Sequence, residues 1–143
     1  MSPFRYPATV KVDPAGFYLV TFPDVPEAGT DATTREEALR EAVDALIAAL
    51  GGYVHAHWPI PKPSKAKPGQ VMIPLPTLVT AKLSLYEAMR EAGLNTIELG
   101  RRLGVSEGAV QRLLDLDHRS HIGQIEAGLQ ALGHRLVVEV QAA

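Results

Sequence analysis

The stretch NTIELGRRLGVSEGAVQRLLDL, residues 95–116, decides how the second half of the chain folds. Asn95 stands three residues before Glu98, the spacing at which a short polar side chain caps a helix and a carboxylate reaches back to the cap. Ser106 has the composition of a second cap, for a helix running to about Leu116. The short connection between the two helices needs one residue at positive φ, and Gly104 supplies it. Two helices that cross steeply also need a small residue at their contact, and Gly100 stands four residues earlier. Leu99, Leu103, Val105, Val110 and Leu113 have the spacing to fill the wedge between them. The pattern reads as a helix-turn-helix, with a plain helical hairpin as the alternative.

A helix-turn-helix that reads DNA places its later helix in the major groove by the N-terminal end. Glu107, Gly108, Gln111 and Arg112 are then the candidates for base contact. Gln suits adenine and Arg suits guanine by two-point hydrogen bonding. Glu107 is repelled by phosphates unless it accepts from cytosine. Thr96 and Ser106 have hydroxyls and backbone N–H groups suited to phosphate. Arg101, Arg102 and Arg119 supply positive charge, or equally a solvated surface.

On either side of this motif the sequence predicts further elements. Residues 78–92 carry Val79, Leu83, Tyr86 and Met89 on one helical stripe, stopped by Gly93. Ile122–Leu132 reads as a last helix ended by Gly133. Residues 135–140, RLVVEV, are β-branched and strand-like. Such a strand needs a partner, either residues 71–73 or its counterpart in a second subunit. Six of the eleven prolines fall between Pro59 and Pro76, with Lys62, Lys65 and Lys67 among them. This composition predicts a linker over 62–70 that separates a domain at 1–61 from one at 71–143.

The first of these domains reads as a small sheet with one helix. Tyr6, Ala8, Val10 and Val12 alternate on one face of a strand. Asp13-Pro14-Ala15-Gly16 is turn chemistry, and Phe17–Phe22 is a second β-rich run, so the two form a hairpin. Residues 28–32 have the composition of a short third strand. Thr34 with Glu37 opens a helix whose apolar stripe is Ala38, Leu39, Ala42, Val43, Leu46, Ile47 and Leu50, with Gly51-Gly52 as its expected end.

Composition narrows the class of function. With no cysteine, the chain has neither disulfides nor cysteine-based zinc sites. No signal-peptide core or membrane-length apolar run is present, so a soluble cytoplasmic protein is expected. Residues 1–61 carry four Lys/Arg and eight Asp/Glu, a net of −4 that favours a basic partner. Residues 71–143 net −1, a weak charge for an autonomous DNA binder. A nuclease needs carboxylates converging on metal ions. Asp13, Asp24, Asp31, Glu37, Glu41 and Asp44 instead have the positions of turns, caps and an exposed helix face. His55 and His57 form a His-x-His pair without a nearby third ligand. His118 and His121 flank Arg119 and Ser120 after the reading helix, as loop residues or phosphate neighbours. Trp58 fits packing at a domain end better than a nucleobase platform. No phosphate loop or nucleophile elbow is present.

Taken together, these residues resemble the HicB antitoxins. The likeness lies in YPATVKVDPAGFYLVTFPDVPEAGTDATTREEALREAVDAL, with its strand–turn–strand, its Phe-Pro-Asp-x-Pro and its Thr-x-x-Glu-Ala-Leu helix start. It continues in LYEAMREAG, LGRRLGV, VQRLLDLDHRSHIGQIEAGLQALG and RLVVEV, which are similar to a Cro/C1-type helix-turn-helix. The family's usual Pro-Gly-Cys is here Pro26-Glu27-Ala28, and its usual Ala is here Gly100. The resemblance implies an α+β protein, partly ribonuclease-H-like over 1–61, with an all-α helix-turn-helix domain flanked by short strands. It implies a HicA-type toxin, a small basic RNA-cleaving protein, as partner. It also implies operator DNA as a ligand and a homodimer or tetramer, with no catalysis, metal or cofactor. A stand-alone transcriptional regulator with a sensing or oligomerising N-terminal domain is the alternative.

Overall fold

The computed structural model describes residues 4–143. Met1, Ser2 and Pro3, which the leader-peptide reading includes, lie outside the described residues. The chain divides into two compact units between Pro76 and Thr77. It is a mixed α+β protein with one four-stranded antiparallel sheet and, among the described residues, five helices.

The first unit is built on β1 (Arg5–Val12), β2 (Tyr18–Thr21), β3 (Gly29–Ala32), α1 (Arg35–His55) and β4 (Val71–Pro74). The sheet order is β3-β2-β1-β4. The β1–β2 hairpin closes on Asp13, whose Oδ1 accepts from the backbone N–H of Ala15 and Phe17, both at 2.9 Å. Gly16 completes the turn at φ 89°, in the left-handed region glycine tolerates. Val10 opposes Val20 and Val12 opposes Tyr18, so one register carries the alternating apolar residues to a single face. Tyr6, Ala8, Val20, Phe22 and Ile73 are buried on that face. The helix α1 covers it with Ala38, Ala42, Leu46 and Leu50, spaced four apart and fully buried. At the start of α1 the Thr34 hydroxyl accepts from Glu37 N–H at 3.2 Å, as the spacing predicts.

Two expectations for this unit are corrected. Gly51 and Gly52 do not end α1, which continues to His55. Glycine in a helix costs about 1 kcal/mol against alanine, too little to stop a helix that goes on packing. The stop comes at His57, held at φ 60°, with Trp58 N–H donating back to Tyr53 O at 2.9 Å. The Tyr53 hydroxyl meets both Glu27 carboxylate oxygens at 2.8 Å, and its ring meets Trp58 edge-on at 5.7 Å. Burial and the Glu27 carboxylate push the Tyr53 phenol above its ordinary range.

The second correction concerns residues 62–70. They form a strap on the first unit rather than the interval between two units. Tyr6 donates its hydroxyl proton to Pro61 O at 2.7 Å. Ser64 donates from its N–H and its hydroxyl to Asp24 Oδ2 at 2.8 and 3.0 Å. Gln70 reaches Thr9 Oγ1 at 3.2 Å. Residues 71–74 then pair with β1, Tyr6 opposite Ile73 and Ala8 opposite Val71. The prolines suit this course, because an extended strap held by side chains needs few N–H groups of its own.

The second unit contains α2 (Thr77–Glu91), α3 (Thr96–Leu103), α4 (Glu107–Leu114) and α5 (Ile122–Ala131). Its core holds Leu83, Leu85, Tyr86, Leu99, Val110 and Ile125. Gly93 and Gly133 end α2 and α5 at φ 69° and 81°. At Gly128 a Cβ would meet Leu85 Cδ1 at 2.9 Å, so α5 comes close to α2 there. The flanking strands expected for this unit are absent. Residues 71–74 are taken by β1, and residues 135–140 have no regular structure, with Val137, Val138 and Val140 at 71%, 65% and 93% exposure. Strand propensity lacks its reward when no second strand stands alongside.

Candidate nucleic-acid interface

The helices α3 and α4 are each eight residues long, and only Gly104, Val105 and Ser106 stand between them. Asn95 Oδ1 accepts from Glu98 N–H at 2.8 Å, and Glu98 Oε1 accepts from Asn95 N–H at 3.2 Å, a complete capping box. Gly104 ends α3 at φ 68°, and Val105 N–H donates to Gly100 O at 2.9 Å. The reason for a glycine at 100 is local: a Cβ there would stand 2.8 Å from Val105 O. Ser106 Oγ then accepts from Ala109 N–H at 3.1 Å and starts α4. Val110, Leu113 and Leu114 are buried. Gly104→Ala forces a Cβ into the left-handed region and is expected to cost about 1–2 kcal/mol. A lower denaturant midpoint at unchanged slope would register it.

Of the residues singled out from the sequence, Arg101, Arg102, Ser106, Glu107, Gln111, Arg112 and Arg119 are exposed, while Thr96 and Gly108 are half-buried. Arg101 and Arg102 lie in the last turn of α3. Arg119 lies in the loop after α4. A Cβ on Gly108 would come 3.6 Å from Arg112 Nη1, so the guanidinium folds back toward the start of α4 over the space glycine leaves. Thr96 and Glu107 are joined to each other. The Thr96 hydroxyl donates to Glu107 Oε1 at 3.1 Å, tying the start of α3 to the start of α4. This bond engages the carboxylate that is awkward beside phosphate. Along α4 runs a groove of about 170 Å³, with Leu103, Val105 and Leu113 inside and Arg112, His118 and Gln124 among its polar lining.

Four of the eight carboxylates of the first unit have structural partners. Asp13 holds the hairpin turn, Asp24 the strap and Glu27 the Tyr53 phenol, and Glu41 Oε2 accepts from Thr30 Oγ1 at 3.3 Å. No group of three His, Cys, Asp or Glu suited to a metal ion occurs among the described residues. With the strap included, residues 1–76 carry seven Lys/Arg and eight Asp/Glu. The acidic excess read over 1–61 is therefore largely offset within the unit.

Residues 5–84 match the family model described as HicB_like antitoxin of bacterial toxin-antitoxin system. The chain is 39% identical over 137 residues to Antitoxin HicB 1 of Photorhabdus laumondii, covering 96% of this chain and 87% of that protein. It is 37% identical over 141 residues to Antitoxin HicB of Pseudomonas fluorescens, covering 98% and 96%. With Antitoxin HicB of Escherichia coli K12 the identity is 36% over 132 residues, covering 92% and 96%. The chain belongs to the HicB-like antitoxin family. As a HicB-like antitoxin it is one half of a bacterial toxin-antitoxin system. The family model stops inside α2, whereas the likeness to whole relatives spans nearly the full chain. No helix among the described residues is long and apolar enough to cross a membrane.

One residue of this HicB-like chain was missed from the sequence. Lys82 is fully buried in α2. The signal was present: position 82 lies three residues after Val79 and four before Tyr86, on the apolar stripe itself. Its Nζ donates to Arg112 O and to Ser120 Oγ, each at 2.8 Å. Burial lowers the Lys82 pKa, and the nearby Asp115 charge partly opposes that.

Proposed function

We propose that this HicB-like antitoxin neutralises a small RNA-cleaving toxin of the HicA type through residues 4–76, and represses its own operon through α3 and α4. The observation that carries the DNA half is the α3–Gly104–α4 connection. A left-handed glycine and two side-chain caps fix the pair, and α4 presents Ser106 at its N-cap and Gln111 and Arg112 in its second half to solvent. This supports a helix-turn-helix of the Cro/C1 type. Gln111 and Arg112 make base contacts, while Ser106, Arg101, Arg102 and Arg119 hold phosphates. Thr96 and Glu107 serve by fixing the angle at which α4 is offered. Gly108 gives the Arg112 guanidinium room to lie along the helix. The strand–turn–strand–strand–helix order of the first unit supports a partial ribonuclease-H-like fold that binds protein and does no chemistry. No cofactor enters this function. Toxin, RNA and operator all meet in the cytoplasm.

Binding to a duplex from just upstream of its own reading frame, followed across salt concentrations, tests the DNA half. Log affinity should fall with log salt by about 0.9 per phosphate neutralised, and the upstream duplex should outcompete a scrambled one. Equal affinity for both duplexes would reject sequence reading.

A symmetric dimer that engages two half-sites gains greatly over a single reading head. The exposed apolar 136–140 segment supports a pairing between subunits. Removing residues 134–143 is expected to leave monomers in sedimentation and to weaken operator binding by about a hundredfold, at the low end of the avidity range. Dimers that survive the truncation would contradict this assignment.

A further inference from the structure

We infer that Lys82 is a positioning residue for DNA reading: from inside the core, its ammonium fixes the C-terminal end of α4 and the loop that carries Arg119. The inference rests on the DNA-binding reading above. Among the described residues no other charged side chain is fully buried. Direct contact with DNA is ruled out by that burial, so any role in binding must act through other groups.

The geometry shows what it acts on. Arg112 is two residues from the end of α4, in the last turn, where carbonyls have no partner within the helix. Gln111 O is taken by Asp115 N–H at 2.9 Å. Arg112 O is taken instead by the Lys82 ammonium, which also sits at the negative end of the helix dipole. The same ammonium donates to Ser120 Oγ, and that hydroxyl stands 3.2 Å from Arg112 O and 3.1 Å from His118 Nδ1. One buried group thus ties α2, the end of α4 and residues 118–120 into a single node. Arg119 lies inside that node in sequence, and the Gln111 and Arg112 side chains spring from the turn it holds.

A methionine would fill similar volume with no charge to desolvate, and Ser120 Oγ, which donates to Arg112 O at 3.2 Å, leaves that carbonyl a partner. The ammonium contributes direction: two donors aimed at fixed acceptors set where a helix end sits, and reading a base edge needs placement to about 0.5 Å.

The test compares wild type, Lys82→Met and Ser120→Ala as full-length proteins. Three readouts are taken: affinity for the upstream duplex, hydrogen exchange of amides 111–121, and the thermal midpoint. Lys82→Met is expected to stay folded, to exchange faster at amides 111–121, and to lose at least about tenfold in duplex affinity, roughly the value of one good base contact. Ser120→Ala, which keeps the ammonium and its bond to Arg112 O, should show a smaller change in the same direction. A folded Lys82→Met that binds the duplex as tightly as wild type overturns the inference and leaves the DNA reading intact. Wild type that fails to bind the duplex overturns both. If Lys82→Met does not fold, Ser120→Ala decides: unchanged exchange and affinity there overturn the inference.

Discussion

Replacing Gln111 and Arg112 together with alanine is expected to lower operator affinity about a thousandfold while leaving the fold intact. Both side chains are exposed on α4, so neither contributes to the core. Alanine is the best helix former, and the Arg112 carbonyl that Lys82 holds is backbone and survives the change. Two good base contacts at about 1–3 kcal/mol each, with 1.4 kcal/mol per tenfold, set the size of the loss. The residual binding should be insensitive to sequence and should keep most of its salt dependence, since the phosphate contacts proposed for Arg101, Arg102 and Arg119 would remain. A gel shift with upstream and scrambled duplexes checks this. If the doubly substituted protein still separates the two duplexes, α4 is not the reading helix.

The second large effect belongs to the first unit. Leu46 is fully buried at the middle of the α1 stripe that covers the sheet. Leu46→Ala removes three heavy atoms from a site with fixed backbone on both sides and is expected to cost about 2–5 kcal/mol. A small unit has little stability to spare, so a loss of this size brings it close to unfolding. Protection from hydrogen exchange should drop at the amides of β1, β2 and α1. Toxin binding should weaken with it, because the proposed function puts the binding surface on this folded unit. Toxin affinity that persists after that protection is lost would show that the toxin is held elsewhere in the chain.

What was legible in the sequence was what local chemistry decides. The Asp13–Gly16 turn, the Thr34 cap, the Asn95–Glu98 box and the Gly104 turn each depend on a few adjacent residues, and each appears where the spacing places it. The alternation in β1 put Tyr6 and Ala8 on the buried face, although Val12 at the end of the same set is exposed, and which face of β2 turns inward was settled only by its register with β1. The expected features that do not appear depended on distant partners. Nothing near residues 71–74 says that they pair with β1 more than sixty residues earlier. The prolines ahead of them look the same in a free linker and in a strap held by Asp24, Thr9 and Tyr6. The RLVVEV segment has the composition of a strand and no regular structure. At the candidate site, the exposed residues of α4 follow from helical period alone. The use of Thr96 on Glu107, and of Lys82 on Arg112 and Ser120, depends on how helices meet in space.

The most direct measurement is the RNA-cleaving activity of the protein encoded next to this chain, followed while this chain is titrated in. Neutralisation through residues 4–76 predicts that cleavage falls to background near one antitoxin per toxin, and that the two co-elute as a complex. Cleavage that continues unchanged at a large excess of this chain would contradict the account.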